Sequence, residues 1–300
     1  MAITLAEASK LSNDVLLIGV IETIIKDSPV LQKLPFIEIV GNGLTYNRES
    51  TLPTVAWYDE NEEWGAETAP TFEQVTAGLE IVGANADVDN FIKATRSNLQ
   101  DVETAVIELN AKAVRHEFED TFINGLGTQA SKDFEGIDKI CQGTGQTVSM
   151  GDNGGPLTLD KLDELIDMVK GGKPDLLLMS RRSRRSLNQL SRAAGSYLQV
   201  ERDEWGRFIE LYNGIPVAIS DWVADNKVVG TSSDCSTIYA FQMGEGALCG
   251  LASPGGIQVE RVGQLEAKDA TRTRIKWYVG LALFSTVKLA RLIGVRPLGS

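Results

Sequence analysis

The sequence predicts an α+β fold that combines a long helix, a protruding hairpin and a compact α/β unit. Apolar residues recur every three or four positions from about 99 to 125, which predicts a helix roughly 35 to 40 Å long. Between 44 and 82 they alternate instead, around an acidic stretch, as in an extended hairpin. From 158 to 241 helical patterns alternate with short apolar runs, which is typical of an α/β unit.

The N-terminal segment is predicted to be an arm helix followed by a short strand. From Leu5 to Ile25 the apolar residues lie on one helical face, and Ser28-Pro29 ends this helix. Residues 35–40 are predicted to be extended, and the glycine-rich turn at 41–43 leads into the hairpin.

The hairpin is predicted from residues that alternate between two faces. Leu44 and Tyr46 mark its first strand, and the second strand carries four apolar residues on one face, Val75, Ala77, Leu79 and Ile81. The middle, from 58 to 70, is rich in carboxylates. We therefore expect a polar, acidic arm that extends beyond the core.

The long helix is predicted to present one apolar stripe to the core. Ser97 with Gln100 resembles a capping box at its start, and Gly125 and Gly127 end it. A helix of this length is suited to act as a spine. The predicted stripe consists of Leu99, Val102, Val106, Leu109, Ala113, Val114, Phe118 and Phe122.

The middle third is predicted to be the α/β unit, between a glycine-rich connection at 143–156 and a loop at 250–256. Thr158 caps a helix whose apolar residues are Leu162, Leu165, Ile166 and Val169. The run within 175–180 is predicted to be a strand buried on both faces. The remaining predicted elements are a helix over 181–194, two strands over 214–220 and 237–241, and three final strands over 257–262, 271–279 and 282–293.

Charge and cysteine content exclude several classes of function. The chain has 29 basic and 41 acidic residues, a formal net charge of −12, and such a surface repels a phosphate backbone. Its three cysteines, Cys141, Cys235 and Cys249, form no CxxC pair and are too few for a disulfide framework, which indicates synthesis in a reducing cytoplasm. Since the N-terminus lacks a basic region and no apolar run approaches roughly 20 residues, we expect neither a signal peptide nor a membrane span.

No catalytic, metal or cofactor site is predicted. The single histidine, His116, lies within the long helix, where we interpret it as an ordinary, partly exposed residue. Neither a GxSxG nucleophile elbow nor a P-loop is present. The acidic arm lacks the ligand spacing of a calcium loop. The basic run at 181–185 opens a helix, and we interpret it as a surface contact with an acidic partner rather than a DNA reader.

Short motifs in a fixed order carry a family resemblance. With the order of elements, they make the chain similar, over nearly its whole length, to the Hong Kong 97-type fold of tailed-bacteriophage major capsid proteins. The motifs are Ala56-Trp57, Trp64-Gly65-Ala66-Glu67 and Phe72-Glu73-Gln74-Val75 in the hairpin, Asp120-Thr-Phe-Ile-Asn-Gly125 at the helix end, Lys173-Pro174-Asp175 and Asn213-Gly-Ile-Pro-Val217 in the α/β unit, and Ala290-Arg-Leu-Ile-Gly294 in the tail.

The resemblance implies a division of the chain into five regions. They are an N-terminal arm (1–42), an extended E-loop (43–82), a peripheral domain with the spine helix (83–150), an inserted α/β axial domain (151–256), and strands that return to the peripheral domain (257–300).

The resemblance also implies a structural subunit rather than an enzyme. Such a subunit is made in the host cytoplasm and assembles with itself, through pentamers and hexamers, into the icosahedral head of the virion, which encloses the phage genome. It needs no cofactor or membrane and contacts packaged DNA non-specifically at most, while scaffolding, portal and decoration proteins are further partners. One alternative is an encapsulin-type shell that packages a cargo enzyme. A second is an α/β enzyme with a site at Ser180, Arg182 and Asp221, which lacks histidines for acid–base chemistry.

The candidate interface joins the acidic arm of one subunit to a basic strand of the next. Arg272, Arg274 and Lys276, here called the basic stripe, recur at period two and therefore share one strand face, opposite Thr273, Ile275 and Trp277. If the E-loop lies across the neighbouring subunit, as the resemblance implies, arm residues meet this stripe. The arm residues are Trp57, Glu60, Glu62, Glu63, Trp64 and Glu67.

A covalent link through the arm is not expected. Some members of the family join subunits by an isopeptide bond from an E-loop lysine, but this chain has no lysine between Lys33 and Lys93. The only basic residue of the arm is Arg48, which keeps its proton and is a poor nucleophile. The shell is therefore expected to be held together noncovalently.

Overall fold

The computed structural model describes residues 28–51, 53–63, 65, 71–91, 102–195, 198–202 and 208–298. The helix predicted over 5–25, the capping pair Ser97 and Gln100, and the arm residues Trp64 and Glu67 lie outside the described residues. Within them the chain is a mixed α and β fold, as predicted.

The described helices are α1 (Val102–Asn124), α2 (Ile137–Thr144), α3 (Leu159–Met168) and α4 (Arg181–Ala193). The first strands are β1 (Phe36–Glu38), β2 (Gly43–Thr51), β3 (Thr71–Gly78), β4 (Glu80–Asp89), β5 (Thr147–Ser149), β6 (Gly155–Pro156) and β7 (Leu176–Met179). The remaining strands are β8 (Gln199–Arg202), β9 (Phe208–Tyr212), β10 (Ile215–Ile219), β11 (Lys227–Val229), β12 (Ser232–Phe241), β13 (Leu248–Gln264), β14 (Ala270–Leu283) and β15 (Leu289–Arg296).

The strands form two large sheets and one small one. The four-stranded sheet has the order β1-β13-β14-β4, and the two-stranded sheet pairs β2 with β3. The nine-stranded sheet has the order β5-β15-β12-β7-β10-β9-β8, with β11 beside β12 and β6 beside β15. After β12 the chain leaves the large sheet through residues 242–247, and after β14 it returns through 284–288. Two neighbouring crossings therefore join the two sheets.

The main core lies between α1, the four-stranded sheet and one face of the nine-stranded sheet. Phe118 of α1 has its ring centroid 4.9 Å from that of Trp277 on β14, and Phe122 lies 6.0 Å from Phe241 on β12. The N-terminal segment completes this core with the fully buried Leu31. A second apolar cluster packs α3 and α4 on the opposite face of the nine-stranded sheet.

Local signals in the α/β unit are confirmed. The Thr158 hydroxyl accepts a hydrogen bond from the backbone N–H of Lys161 at 3.3 Å, which caps α3. Ser180 caps α4 in the same way, through the N–H of Ser183 at 3.2 Å. All four residues of β7 are buried, as predicted for a strand covered on both faces.

The predicted stripe of the long helix is wrong at Leu109 and Ala113, whereas Val106 packs on the core as predicted. Leu99 lies outside the described residues. Leu109 is 64% exposed and Ala113 is exposed, whereas Ile107 and Ala111 are buried and continue to Val114, Phe118 and Phe122. A helix of 3.6 residues per turn cannot keep both sets on one face, and the larger aromatic residues determine which face is buried.

The loop predicted at 250–256 is instead part of β13. Residues 248–252 pair with β14 and residues 250–252 also pair with β1, and the register of β13 shifts between Ala252 and Ile257. Gly255 and Gly256, with positive φ values of 91° and 53°, form this bulge. Gly250 serves another purpose, because a Cβ there would lie 2.4 Å from the Phe36 ring.

Three further expectations are corrected. The connection at 143–156 contains β5 and β6, and α2 before it was not predicted. The face predicted from Val75 to Ile81 is split between β3 and β4, and Ile81 is 73% exposed. The final strand, β15, pairs with β12 in the nine-stranded sheet, so the tail from 257 does not return to the four-stranded sheet alone.

Candidate functional site

The arm is a two-stranded hairpin that is fixed at its root. Strands β2 and β3 pair from Gly43 opposite Gly78 up to Thr51 opposite Thr71. Near the root, Leu44 and Leu79 pack on a small cluster around Cys249 and Leu251. Gly78 also lies close to β14, since a Cβ on Gly280 would be 2.2 Å from its carbonyl oxygen. The root is therefore packed, as in an ordinary folded domain.

Polar contacts reinforce the root at one backbone oxygen. The Leu283 carbonyl accepts hydrogen bonds from the Tyr46 hydroxyl and from Arg48 Nε, both at 2.9 Å, and from Arg48 Nη2. Arg48 Nη2 also donates to the Tyr46 hydroxyl oxygen at 3.1 Å, and the Tyr46 ring lies 4.7 Å from that of Phe284. Burial raises the pKa of Tyr46, although Arg48 opposes the shift. The hydroxyl therefore remains a donor at neutral pH. Sequence patterns did not identify this contact.

The tip of the arm is exposed. Trp57 is fully exposed, Val55 is 89% exposed, and Phe72 on β3 is 64% exposed. The local turn is ordered by Glu62, whose carboxylate accepts the backbone N–H of Asp59 at 2.8 Å. Within the described residues, the tip of the hairpin thus presents large apolar side chains as well as charge.

The alternation of the basic strand is confirmed. Thr273, Ile275 and Trp277 are buried beneath β14, whereas the residues of the basic stripe lie on the opposite face. This face of the four-stranded sheet carries their partners on the two flanking strands, β4 and β13.

Two of the three stripe residues are paired within the chain. Arg272 forms a two-pronged ion pair with Asp87, with both contacts at 2.6 Å, and this hydrogen bonding lowers the pKa of Asp87. Lys276 contacts Glu260 at 2.8 Å and lowers the pKa of Glu260. Arg274, which is exposed, donates to the neutral amide of Asn85 at 3.0 Å.

Among the described residues, the arm and the basic stripe form no ion pair with each other. In the described part of the arm, Glu60, Glu62 and Glu63 are exposed and none forms a salt bridge with a stripe residue.

The basic run at 181–185 has acidic partners in its own chain. Arg181 binds both carboxylate oxygens of Asp221, with Nη2 at 2.9 Å, and Arg184 contacts Glu210 at 3.2 Å. Arg182 contacts Asp225 at 3.4 Å. These ion pairs account for cations at a helix N-terminus, where they oppose the helix dipole.

The alternative enzyme site is not assembled. Ser180 is 2% exposed, and its hydroxyl is used in capping α4, while Asp221 and Arg182 bind other partners. His116 is exposed and packs its ring 5.8 Å from Trp222. Over the described ranges, no group of three His, Cys, Asp or Glu side chains could hold a metal ion.

Two further features concern the cysteines and the length and apolar character of the helices. Cys141, Cys235 and Cys249 are buried free thiols. None of the helices in the described segments is both long enough and apolar enough to cross a membrane.

A buried charge network was not anticipated from the sequence. Asp138 at the start of α2 contacts Arg291 at 2.8 Å and Lys227 at 3.1 Å, and it accepts the Tyr239 hydroxyl at 2.9 Å. Burial raises the pKa of Asp138, but its cationic neighbours lower it more, so the net shift is downward. The network joins α2 to three strands of the nine-stranded sheet.

One family profile matches most of the chain. The profile of the phage capsid family matches residues 15–291. No curated protein matches the chain.

Solved structures of shell proteins share the fold. The SrpI encapsulin of Synechococcus elongatus aligns with a TM-score of 0.67 at 19% identity, over 99% of this chain and 97% of that chain. A chain of Mycobacterium phage Adephagia gives 0.65 at 15% identity, over 91% of each chain. A chain of Mycobacterium phage Cain aligns with a TM-score of 0.63 at 15% identity, over 100% of each chain. At these identities the likeness shows the fold alone.

Proposed function

Because this chain belongs to the phage capsid family, we propose that its exposed arm joins neighbouring copies into the shell. The chain is a structural capsid protein, and self-assembly into an icosahedral shell is its function. Members of this family are structural proteins rather than enzymes. The finer proposal concerns which surfaces meet and what the shell contains.

The exposed tip of the arm supports this proposal most directly. A core that buries Trp277, Phe118 and Phe122 completely shows that the chain can cover its large aromatic residues. Trp57 is nevertheless fully exposed, at the end of a hairpin that is firmly held at its root. A tryptophan buries on the order of 150 to 250 Å² when it packs, so a neighbouring copy that covers Trp57 gains a large apolar contact.

Charge supplies the second part of the proposed contact. We propose that Glu60, Glu62, Glu63 and Glu67 face the basic stripe of the next subunit, with Trp57 and Trp64 packed beside them. Since Arg272 and Lys276 already have carboxylate partners, Arg274 is the stripe residue with most charge to offer. Each exposed pair contributes little, about 0.2 to 1 kcal/mol, but a shell repeats the contact at every copy.

The five-region division is retained as a proposal with two adjustments. Strand β13 starts at Leu248, so the boundary at 256 falls inside a strand, and β15 belongs with the axial strands. Pentamers and hexamers as building units, synthesis in the host cytoplasm, non-specific contact with packaged DNA, and separate scaffolding, portal and decoration proteins belong to the same proposal.

The contents of the shell distinguish the two candidate functions. The fold is shared with an encapsulin as well as with phage capsids, so fold likeness alone does not separate a genome from a cargo enzyme. The phage capsid family match favours the genome. Particles purified from the native source should contain double-stranded DNA and no stoichiometric enzyme, and the reverse composition would establish the encapsulin alternative.

Assembly itself is tested with a matched pair of variants. Trp57→Ser should abolish shells seen by negative-stain microscopy while leaving the subunit folded. Val228→Ser, which alters another large exposed apolar residue away from the arm, should assemble like the unmodified chain. Normal shells from Trp57→Ser would remove the arm tip from the interface.

A further inference from the structure

The arm root lies at the joint between the two large sheets. The two crossings, 242–247 and 284–288, run side by side and are hydrogen-bonded to each other. The backbone N–H of Phe284 donates to the Ala247 carbonyl at 3.0 Å, and that of Gln242 donates to the Lys288 carbonyl at 2.9 Å. Any rotation of one sheet relative to the other must therefore move these paired segments.

Arg48 and Tyr46 contact the start of one crossing. Leu283 is the last residue of β14, and its carbonyl oxygen receives three donors from the arm, as described above. The next residue, Phe284, packs against the Tyr46 ring and holds the other crossing through Ala247. Contacts from the first arm strand thus converge on the residue where the chain leaves the four-stranded sheet.

The choice of residue at position 48 argues for a special role. Arg48 is the only basic residue between Lys33 and Lys93, in a segment rich in carboxylates. An arginine facing a neighbour could pair with an acidic surface, yet this one directs its planar fork of donors at a backbone oxygen of its own chain. A fork fixed on one acceptor defines a direction, which a single flexible donor does not.

We propose that Arg48 and Tyr46 are positioning residues that couple the direction of the arm to the joint between the two sheets. A rotation of one sheet relative to the other would then swing the arm tip. The angle between sheets would thereby determine which part of the neighbouring copy the tip reaches. This inference rests on the proposed function of the arm, since direction matters only if the tip contacts another copy.

Distance measurements between spin labels test the coupling in the unassembled full-length chain. Labels are placed by Glu60→Cys on the tip and Val228→Cys on the nine-stranded sheet, both exposed, while the native cysteines are buried. The unmodified root should give a narrow distance distribution, and Arg48→Ala and Tyr46→Phe should broaden it. Thr45→Val is the matched control, because it removes the Thr45–Thr76 hydroxyl contact within the hairpin. It leaves intact the hydrogen bonds from Arg48 and Tyr46 to the Leu283 carbonyl, here called the clamp.

Hydrogen exchange provides a second readout of the same variants. Amides of β2 and β3 should exchange roughly ten- to a hundredfold faster in Arg48→Ala, as expected when hydrogen bonds from a charged donor are lost. Amides of β13 should be unchanged. Tyr46→Phe should show a smaller change in the same strands, and it decides the question if Arg48→Ala does not fold.

The outcomes separate this inference from the proposed function. If distances and exchange rates in both clamp variants equal those of Thr45→Val, the coupling is refuted, whether or not shells form. If the clamp variants loosen the arm but assemble shells of normal and uniform size, the arm direction does not guide assembly and the proposal is overturned. Irregular or open particles from a loosened arm support it. Failure of the unmodified chain to assemble refutes the proposed function but leaves the distance test valid.

Discussion

The arm and the centre of the nine-stranded sheet differ in whether their charged side chains are paired and their large apolar side chains are buried. In the centre of the sheet, carboxylates pair with cations of the same chain, as Asp138 does with Arg291 and Lys227, and the large side chains of β12, such as Phe241, are buried. In the described part of the arm, Trp57 is fully exposed, and Glu60 and Glu63 lie at the surface. The central strands of the sheet are therefore covered within one subunit, whereas the arm has a surface suited to another. Variants in the two regions should therefore affect different measurements.

The largest contrast is expected between two aromatic residues. Phe118→Ala should lower the free energy of unfolding by about 3 to 5 kcal/mol, because it leaves a cavity beside Trp277. Trp57→Ala should change it by less than about 0.5 kcal/mol, since an exposed side chain loses little on truncation. Urea unfolding of unassembled subunits measures both. A large loss of stability in Trp57→Ala would show that the tip packs on its own chain.

Removing a charge in the packed region should also lower the folding stability more than removing a charge on the arm. Asp138→Asn should cost about 3 kcal/mol of folding stability, because it leaves the largely buried Arg291 and Lys227 without their carboxylate. Glu60→Gln on the arm serves as the control and should leave the unfolding midpoint unchanged. Equal effects would contradict the distinction between the two regions.

The pH dependence of the stability lost in Asp138→Asn identifies the electrostatic origin of this loss. The pKa of Asp138 is lowered from its ordinary value of 3.8, so its contribution to stability is present above that value and is lost as pH falls through the lower, folded pKa. The stability gap between the unmodified chain and Asp138→Asn should therefore shrink on acidification below pH 3.8. A gap that stays constant with pH would indicate altered packing instead of lost charge.

The same contrast explains which features could be predicted from the sequence. Elements with local signals were predicted correctly, such as the cap at Thr158 and the buried strand β7. Errors arose where tertiary contacts decided the outcome. Leu109 fits a helical stripe but lies on the exposed face, and Gly255 and Gly256 resemble a loop although they form a bulge within the long strand β13, which pairs with β14 on both sides of them.

The residues of the candidate site could be predicted from the sequence, but the contacts that they make could not. The acidic tip and the basic stripe follow from charge and period-two spacing. The clamp on Leu283 joins residues 235 positions apart, for which no local pattern exists. The pairing of Arg272 with Asp87 likewise depends on strand register between β14 and β4. The partner of Trp57 lies outside a single subunit and is therefore still a proposal.

A smaller effect is expected where the N-terminal strand meets the four-stranded sheet. Gly250→Ala would place a Cβ 2.4 Å from the Phe36 ring, and the resulting shift of strand β1 should cost about 1 to 3 kcal/mol. Gly143→Ala in α2 is the matched control, since nothing lies within 4 Å of its added Cβ. Thermal or urea unfolding distinguishes them. If both variants are equally stable, the close approach of Phe36 is not needed for the fold.

The smallest effect on folding, with a clear effect on assembly, is expected for the basic stripe. Arg274→Glu should lower the unfolding midpoint only slightly, because Arg274 is exposed and its hydrogen-bond partner Asn85 is neutral, although the new carboxylate lies opposite Glu260 on β13. It should nevertheless slow shell formation, since it places a carboxylate where the acidic arm of the next copy is proposed to lie. The retardation should weaken as salt rises above about 0.1 M, where exposed charges are screened within roughly 10 Å. Lys139→Glu, an exposed charge reversal of the same size on α2, is the control and should assemble at the normal rate. Light scattering follows both reactions. Equal rates for the two variants at low salt would show that the arm does not contact the basic stripe. Trp57 would then have to be covered elsewhere on the neighbouring subunit.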